Sequence, residues 1–247
     1  MFSQCSSLTT APELPATTLS RGCYNNLFRD CTNLSAAPEL PATTLAEFCY
    51  SLMFQNCIAL TSATELPAST LAGNCYRDMF KGCTSLTEAP DLPATILGIE
   101  CYYGMFQGCT SLTEAPELPA TTLRGQCYQY MFAGCSSLTT APELPATTLN
   151  QYCYANMFQG CTSLTTAPAL PATTLANSCY RNMFYGCSSL NSIEIAYTGN
   201  FSGTGVPSKA FLNWVQDVSA SGTFYYDGED TTTGASAIPT GWTVQTF

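Results

Sequence analysis

Residues 161–187 read CTSLTTAPALPATTLANSCYRNMFYGC. A cysteine opens the stretch and another closes it, 26 residues on. The same step continues through the chain. Cys5, Cys31, Cys57, Cys83, Cys109, Cys135, Cys161 and Cys187 form one series, and Cys23, Cys49, Cys75, Cys101, Cys127, Cys153 and Cys179 form a second. The phenylalanines from Phe2 to Phe184 and the tyrosines from Tyr24 to Tyr180 keep the same interval. A strict period of this length marks a stacked-coil array, in which each unit buries its apolar face only against its neighbours. Seven full units run from Met1 to Asn182, and an eighth starts at Met183 and breaks off near Ile193.

The spacing within a unit predicts one helix. Leu19, Cys23, Tyr24, Leu27, Phe28 and Cys31 fall at intervals 0, 4, 5, 8, 9 and 12, which fit one face at about 3.6 residues per turn. Ser20, Arg21, Asn25, Asn26 and Arg29 take the opposite face. Thr17, Thr43, Ser69, Thr95, Thr121, Thr147 and Thr173 stand where N-caps belong. Asp30, Asn56, Gly82, Gly108, Gly134, Gly160 and Gly186 precede the second cysteine, and these residue types accept a left-handed backbone after a helix. The segment between helices, such as Ser7 to Leu14, is short and contains Pro12, so only a brief strand is expected there. The expected fold is α/β: a right-handed solenoid of 26-residue units, each a short strand plus a helix, with a small C-terminal cap. Leu8, Ala11, Leu14, Leu19, Cys23, Phe28 and Cys31 are the expected core of a unit, and Tyr24 and its equivalents are expected to pack between coils.

The stretch 161–187 resembles the bacterial leucine-rich repeats of the BspA type. Leu164, Leu170, Pro171, Leu175, Phe184 and Cys187 fall on that pattern, which recurs across residues 1–193. Two departures stand out: the unit is 26 residues long, a few more than the family's, and Cys-Tyr-x-x-Met-Phe replaces a simpler Ala-Phe. The resemblance implies a leucine-rich-repeat solenoid and adhesion at a bacterial cell surface, with host extracellular matrix or other cell-surface proteins as partners. Residues 194–247 lie outside the repeat and read as a capping segment, because the end of a solenoid core must be covered. Within it, Pro207-Ser208 looks like a helix entry followed by Phe211, Leu212, Val215 and Val218 on one face, and 223–226 and 242–247 read as strands. This segment is also similar to those that follow such repeats in Bacteroidales surface proteins.

Composition narrows the function. Charged residues are 10% of the chain and the balance is 7 − 17 = −10, so phosphate backbones are repelled and nucleic acid is not an expected partner. Histidine is absent, which excludes Ser-His and Cys-His catalytic pairs and histidine metal sites. No apolar run is long enough for membrane insertion. No enzyme chemistry and no cofactor is expected. The fifteen cysteines suit buried free thiols, with ladder disulfides as the alternative, and no C-x-x-C zinc knuckle occurs. Asp227-Gly228-Glu229-Asp230 carries oxygen ligands of the kind calcium takes, but reads first as a hairpin turn.

The candidate partner-binding site is a stripe of carboxylates, Glu13, Glu39, Glu65, Asp91, Glu117 and Glu143, one per unit, with Glu88 and Glu114 nearby. Such a row suits a cation or a basic protein, and more simply a solvated edge that resists aggregation. Expected functions are therefore a non-catalytic cell-surface recognition module or, alternatively, a structural spacer displaying another domain. Met1-Phe2 is in register with Met53-Phe54, so further chain carrying a secretion signal is expected upstream.

Overall fold

The computed structural model describes residues 2–247; the register of Met1 lies outside the described residues. The chain winds into stacked coils. Each coil meets the next through short parallel pairings. One ladder runs Thr10, Ala36, Ser62, Glu88, resumes at Glu114–Thr140, and resumes again at Thr166–Ser192. A second contains β1 (Thr18–Leu19) paired with β2 (Thr44–Leu45), then Thr70–Ile96 and Thr148–Thr174. Pro15 and Pro41, just ahead of β1 and β2, help to keep each of these strands to two residues, since Pro supplies no N–H.

The expected helices are not formed: among the described residues there is no α-helix, so the strand-plus-helix unit is corrected to a coil of short strands and turns. From two or three residues before the first cysteine to the second, the unit is a ribbon of tight turns. Alternate residues donate to the neighbouring coil: Asp78 N–H to Tyr103 O (2.7 Å), Phe80 N–H to Met105 O (2.9 Å) and Gly82 N–H to Gln107 O (2.8 Å). The residues between them donate three positions back, Met79 to Tyr76 O (3.2 Å), Lys81 to Asp78 O (3.3 Å) and Cys83 to Phe80 O (3.0 Å). Those three-back bonds close β-turns, and the third residue of every second turn has positive φ, as a type II turn requires: Asp78 (50°) and Gly82 (74°), with Asn74 (59°) four residues earlier. A backbone that turns left-handed every fourth residue cannot continue an α-helix. Its polar groups are satisfied by the coil above instead. Without helices, the Thr17-type hydroxyls have no helix to cap, and the backbone there joins the ladder, with Thr43 N–H donating to Thr17 O (3.3 Å).

Identical side chains stack down the interior. Leu34, Leu60, Leu86, Leu112, Leu138, Leu164 and Leu190 are fully buried, as are the phenylalanines from Phe28 to Phe184. Neighbouring phenylalanine rings lie 5.5–5.8 Å apart and near parallel. Such pairs add about 0.5–1.5 kcal/mol each beyond the area they bury. The tyrosines from Tyr50 to Tyr180 are buried in a parallel column at 5.8–6.1 Å. Two further buried columns, Ala42 to Ala172 and Met53 to Met183, belong to the core, whereas the Ala37-type column is largely half-buried.

All fifteen cysteines are unbridged. In one series the thiol donates to a phenylalanine carbonyl of the preceding coil: Cys57 to Phe28 O, Cys83 to Phe54 O and Cys109 to Phe80 O, each 3.1 Å. Phe80 O already accepts Cys83 N–H, so the thiol of the next coil takes the carbonyl's second lone pair.

The turn ribbon is laid down once more beyond Ile193. Ser178 N–H bonds Ser208 O (3.0 Å), Asn182 N–H bonds Leu212 O (2.9 Å) and Gly186 N–H bonds Gln216 O (2.8 Å). Residues 208–218, read above as a helix, are therefore turns. Trp214 closes the stack, 6.3 Å from both Tyr180 and Phe184, with its indole N–H on Ala237 O (2.8 Å). β3 (Ser192–Glu194), β4 (Thr223–Tyr225) and β5 (Thr243–Gln245) form a sheet in that order, and both pairings are parallel. The strands at 223 and 243 stand where the alternating pattern puts them. Because β4 and β5 run parallel, residues 227–230 begin a crossover and are not the expected hairpin turn.

Candidate functional site

Each carboxylate of the stripe sits in the irregular segment between the two ladders. Leu40, Leu66, Leu92, Leu118 and Leu144 are buried, and the acidic residue just before each points outward. Glu13, Glu39, Glu65, Asp91, Glu117 and Glu143 are all exposed, as is Ala169 where the acidic series is interrupted. Shallow grooves separate neighbouring loops. One of about 610 Å³ is lined by Glu88, Asp91, Glu114 and Glu117 among others, and one of about 470 Å³ by Glu39 and Glu65 with Pro41 and Pro67.

The ion pairs lie elsewhere, on the ribbon: Arg21–Glu47 (3.4 Å), Arg29–Asp30 (3.4 Å), Arg77–Asp78 (3.5 Å), Lys81–Asp78 (3.5 Å) and Arg77–Glu100. Among the described residues, none of the stripe's carboxylates is in such a pair. All seven cations of the chain, Arg21, Arg29, Arg77, Lys81, Arg124, Arg181 and Lys209, fall in the ribbon and its continuation in the last coil. One face is thus uniformly acidic, with Glu88 and Glu114 widening it, and the other carries mixed charge.

Other sequence candidates are used structurally. Asp230 accepts the backbone N–H groups of Phe201 and Thr232 (2.8 Å each), and Asp227 accepts that of Phe247 (2.9 Å), so both carboxylates tie down the last segment. Among the described residues, no group of three or more acidic or cysteine side chains is arranged to hold a metal ion. Burial pushes the thiols up: Cys57, Cys75 and Cys135 to about 12. A thiol held protonated is a poor nucleophile and a poor metal ligand.

The sequence reading did not single out a cluster on the ribbon where the repetition breaks. Arg77 lies over the Tyr103 ring at 4.3 Å, and Tyr103 meets Tyr130 edge-on at 5.6 Å. Asp78 is buried beneath them; desolvation raises its carboxyl above the usual range, opposed by Lys81 and Arg77. Earlier in the coil that carries Tyr103, Ile96 and Ile99 are 61% and 57% exposed. The available signal was the sequence of that coil, where Ile96 replaces the Thr of its column and Gly98 and Ile99 follow.

Six copies of the BspA type leucine rich repeat region match residues 74–214. The chain belongs to this leucine-rich-repeat family, whose repeats serve protein binding. The match runs into the last ribbon, past the point where the cysteines stop. No curated protein and no solved structure matches the chain. Among the described residues, no helix is long and apolar enough to cross a membrane.

Proposed function

We propose that the chain is a non-catalytic recognition module displayed at a bacterial cell surface, and that it binds a basic protein partner, such as one of the host extracellular matrix, along the stripe Glu13, Glu39, Glu65, Asp91, Glu117 and Glu143. The observation that carries this reading is the one-sided charge: a row of exposed carboxylates without a cation among them, on a chain whose cations all sit on the ribbon. Like charges in register cost stability, so a row kept at one position through six coils is best explained by a ligand that uses it. The near-identity of the units supports a second reading, a spacer that displays another domain, because a spacer needs no position to differ from the next.

A panel of matrix proteins and glycans, titrated against the immobilised chain, separates the two. The recognition reading expects saturable binding of a basic protein that weakens with salt, and at least a tenfold loss of affinity in the Glu65→Gln, Asp91→Gln, Glu117→Gln triple variant, from the order of magnitude of a few exposed charge contacts. No saturable ligand across the panel leaves the spacer. Undiminished affinity in the triple variant moves the contact off this face.

A further inference from the structure

The last sheet has one open edge. β5 is its outermost strand, paired only to β4. Thr243 N–H donates to Gly222 O and Gln245 O accepts Tyr226 N–H (each 2.9 Å), so residues 243 and 245 turn their backbone groups inward to β4. The alternation of a strand turns those of Val244 outward and, continued one residue past β5, those of Thr246, and among the described residues nothing bonds them. Residues 242–247, Trp-Thr-Val-Gln-Thr-Phe, contain no charge and no proline. Val244 is 46% and Phe247 61% exposed. Two of the usual guards of a free edge, a lysine and a proline, are missing, and only the shortness of the strand limits its pairing.

We infer that β5 is a self-pairing edge, and that two copies of this chain join by antiparallel β5–β5 pairing about a two-fold axis through Gln245. The outward groups fix the register. Val244 of one copy faces Thr246 of the other in a hydrogen-bonded pair, and the symmetric pair repeats it. Two residues per chain with one outward donor each make four bonds across the axis. An edge whose donors and acceptors match their own two-fold image needs no second kind of partner, and isologous two-fold dimers are the commonest assemblies. Gln245 then meets its symmetry mate in the close, non-hydrogen-bonded position, with Cα atoms about 4.5 Å apart. Each copy carries a formal charge of −10, so salt strengthens this pairing by screening repulsion, the reverse of its effect on a basic ligand. A dimer would present two acidic faces. That consequence rests on the reading above; the pairing itself does not.

Sedimentation of the whole chain over a concentration and salt series tests the inference, with expected mass doubling at the high end of both. Thr246→Pro, which removes an outward N–H, and Val244→Lys should each abolish the doubling while Trp242 fluorescence stays unchanged. A second arm does not depend on those variants. In a chain with Cys5→Ser and Cys23→Ser, Gln245→Cys should form a dimeric disulfide under mild oxidant, because about 4.5 Å lies within disulfide range. Thr243→Cys should not, since the two copies of residue 243 stand about 14 Å apart along the strands. A chain that stays monomeric throughout, or a dimer that survives Thr246→Pro and leaves Gln245→Cys uncrosslinked, overturns the inference.

Discussion

Gly82, Gly108, Gly134, Gly160 and Gly186 hold φ between 72° and 76°, and Asp30 and Asn56 fill the same place at 59° and 60°. The residue type before the second cysteine therefore reports the local backbone, and the left-handed conformation was legible there. Its purpose was misread as a helix stop, whereas it is the third position of a type II turn. At Gly134 an added Cβ would meet Gly108 Cα at 3.7 Å, ordinary contact, so only the backbone cost remains. Gly134→Ala should then lower stability by about 1–2 kcal/mol and Gly134→Asn by clearly less, as chemical denaturation would measure. The cysteines give a second prediction. Burial raises the Cys135 and Cys187 thiols from 9.0 to about 12, and it raises those of Cys109 and Cys153 as well. The folded state favours the neutral thiol, so its contribution is complete below pH 9 and is lost as pH rises toward 12. Melting temperature followed upward from pH 8 should hold to about pH 9 and then fall steeply. A melting temperature unchanged to pH 11 would show that these thiols are not buried as described.

At the scale of the element, the period of 26 and most core columns could be read from the sequence, but the element that fills half of each unit could not. The intervals 0, 4, 5, 8, 9 and 12 fit a helix over a dozen residues, and they fit a repeat of four equally well. The ribbon has that repeat: Cys49 and Tyr50 point in, Gln55 and Asn56 lie toward the surface, and Met53, Phe54 and Cys57 are buried. The segment is too short for the drift between 3.6 and 4 to show. The deciding facts are non-local, since the acceptors of Asp78, Phe80 and Gly82 lie 25 residues ahead in the next coil. No local propensity records them. Far-UV circular dichroism distinguishes the alternatives: the ribbon predicts a spectrum without the helical double minimum, whereas strong helical ellipticity would restore the helix.

At the scale of the molecule, repetition separates what stacks from what can be recognised. The interior columns are near-invariant because each side chain packs on its own copy. Outside, the repeat divides charge between two faces. The outward direction of Glu39, Glu65, Asp91, Glu117 and Glu143 could be read from the sequence, because a buried Leu follows each of them; that they form a contact is the proposal made above. The separation of the cations from the stripe could be read as well, since Arg21, Arg77, Arg124 and Arg181 fall in the segment whose spacing suggested a helix, although that segment is a turn ribbon. The cluster at Arg77, Tyr103 and Tyr130 is the competing surface, since its irregularity and mixed chemistry are those of many interface cores. One measurement chooses between the faces: zero-length carbodiimide crosslinking of the folded chain to a lysine-rich peptide at low salt, mapped by mass spectrometry. The account predicts crosslinks at Glu65, Glu88, Asp91, Glu114 and Glu117, fading together as salt is raised. Crosslinks concentrated at Glu47 and Glu100, with the stripe unmodified, would contradict it.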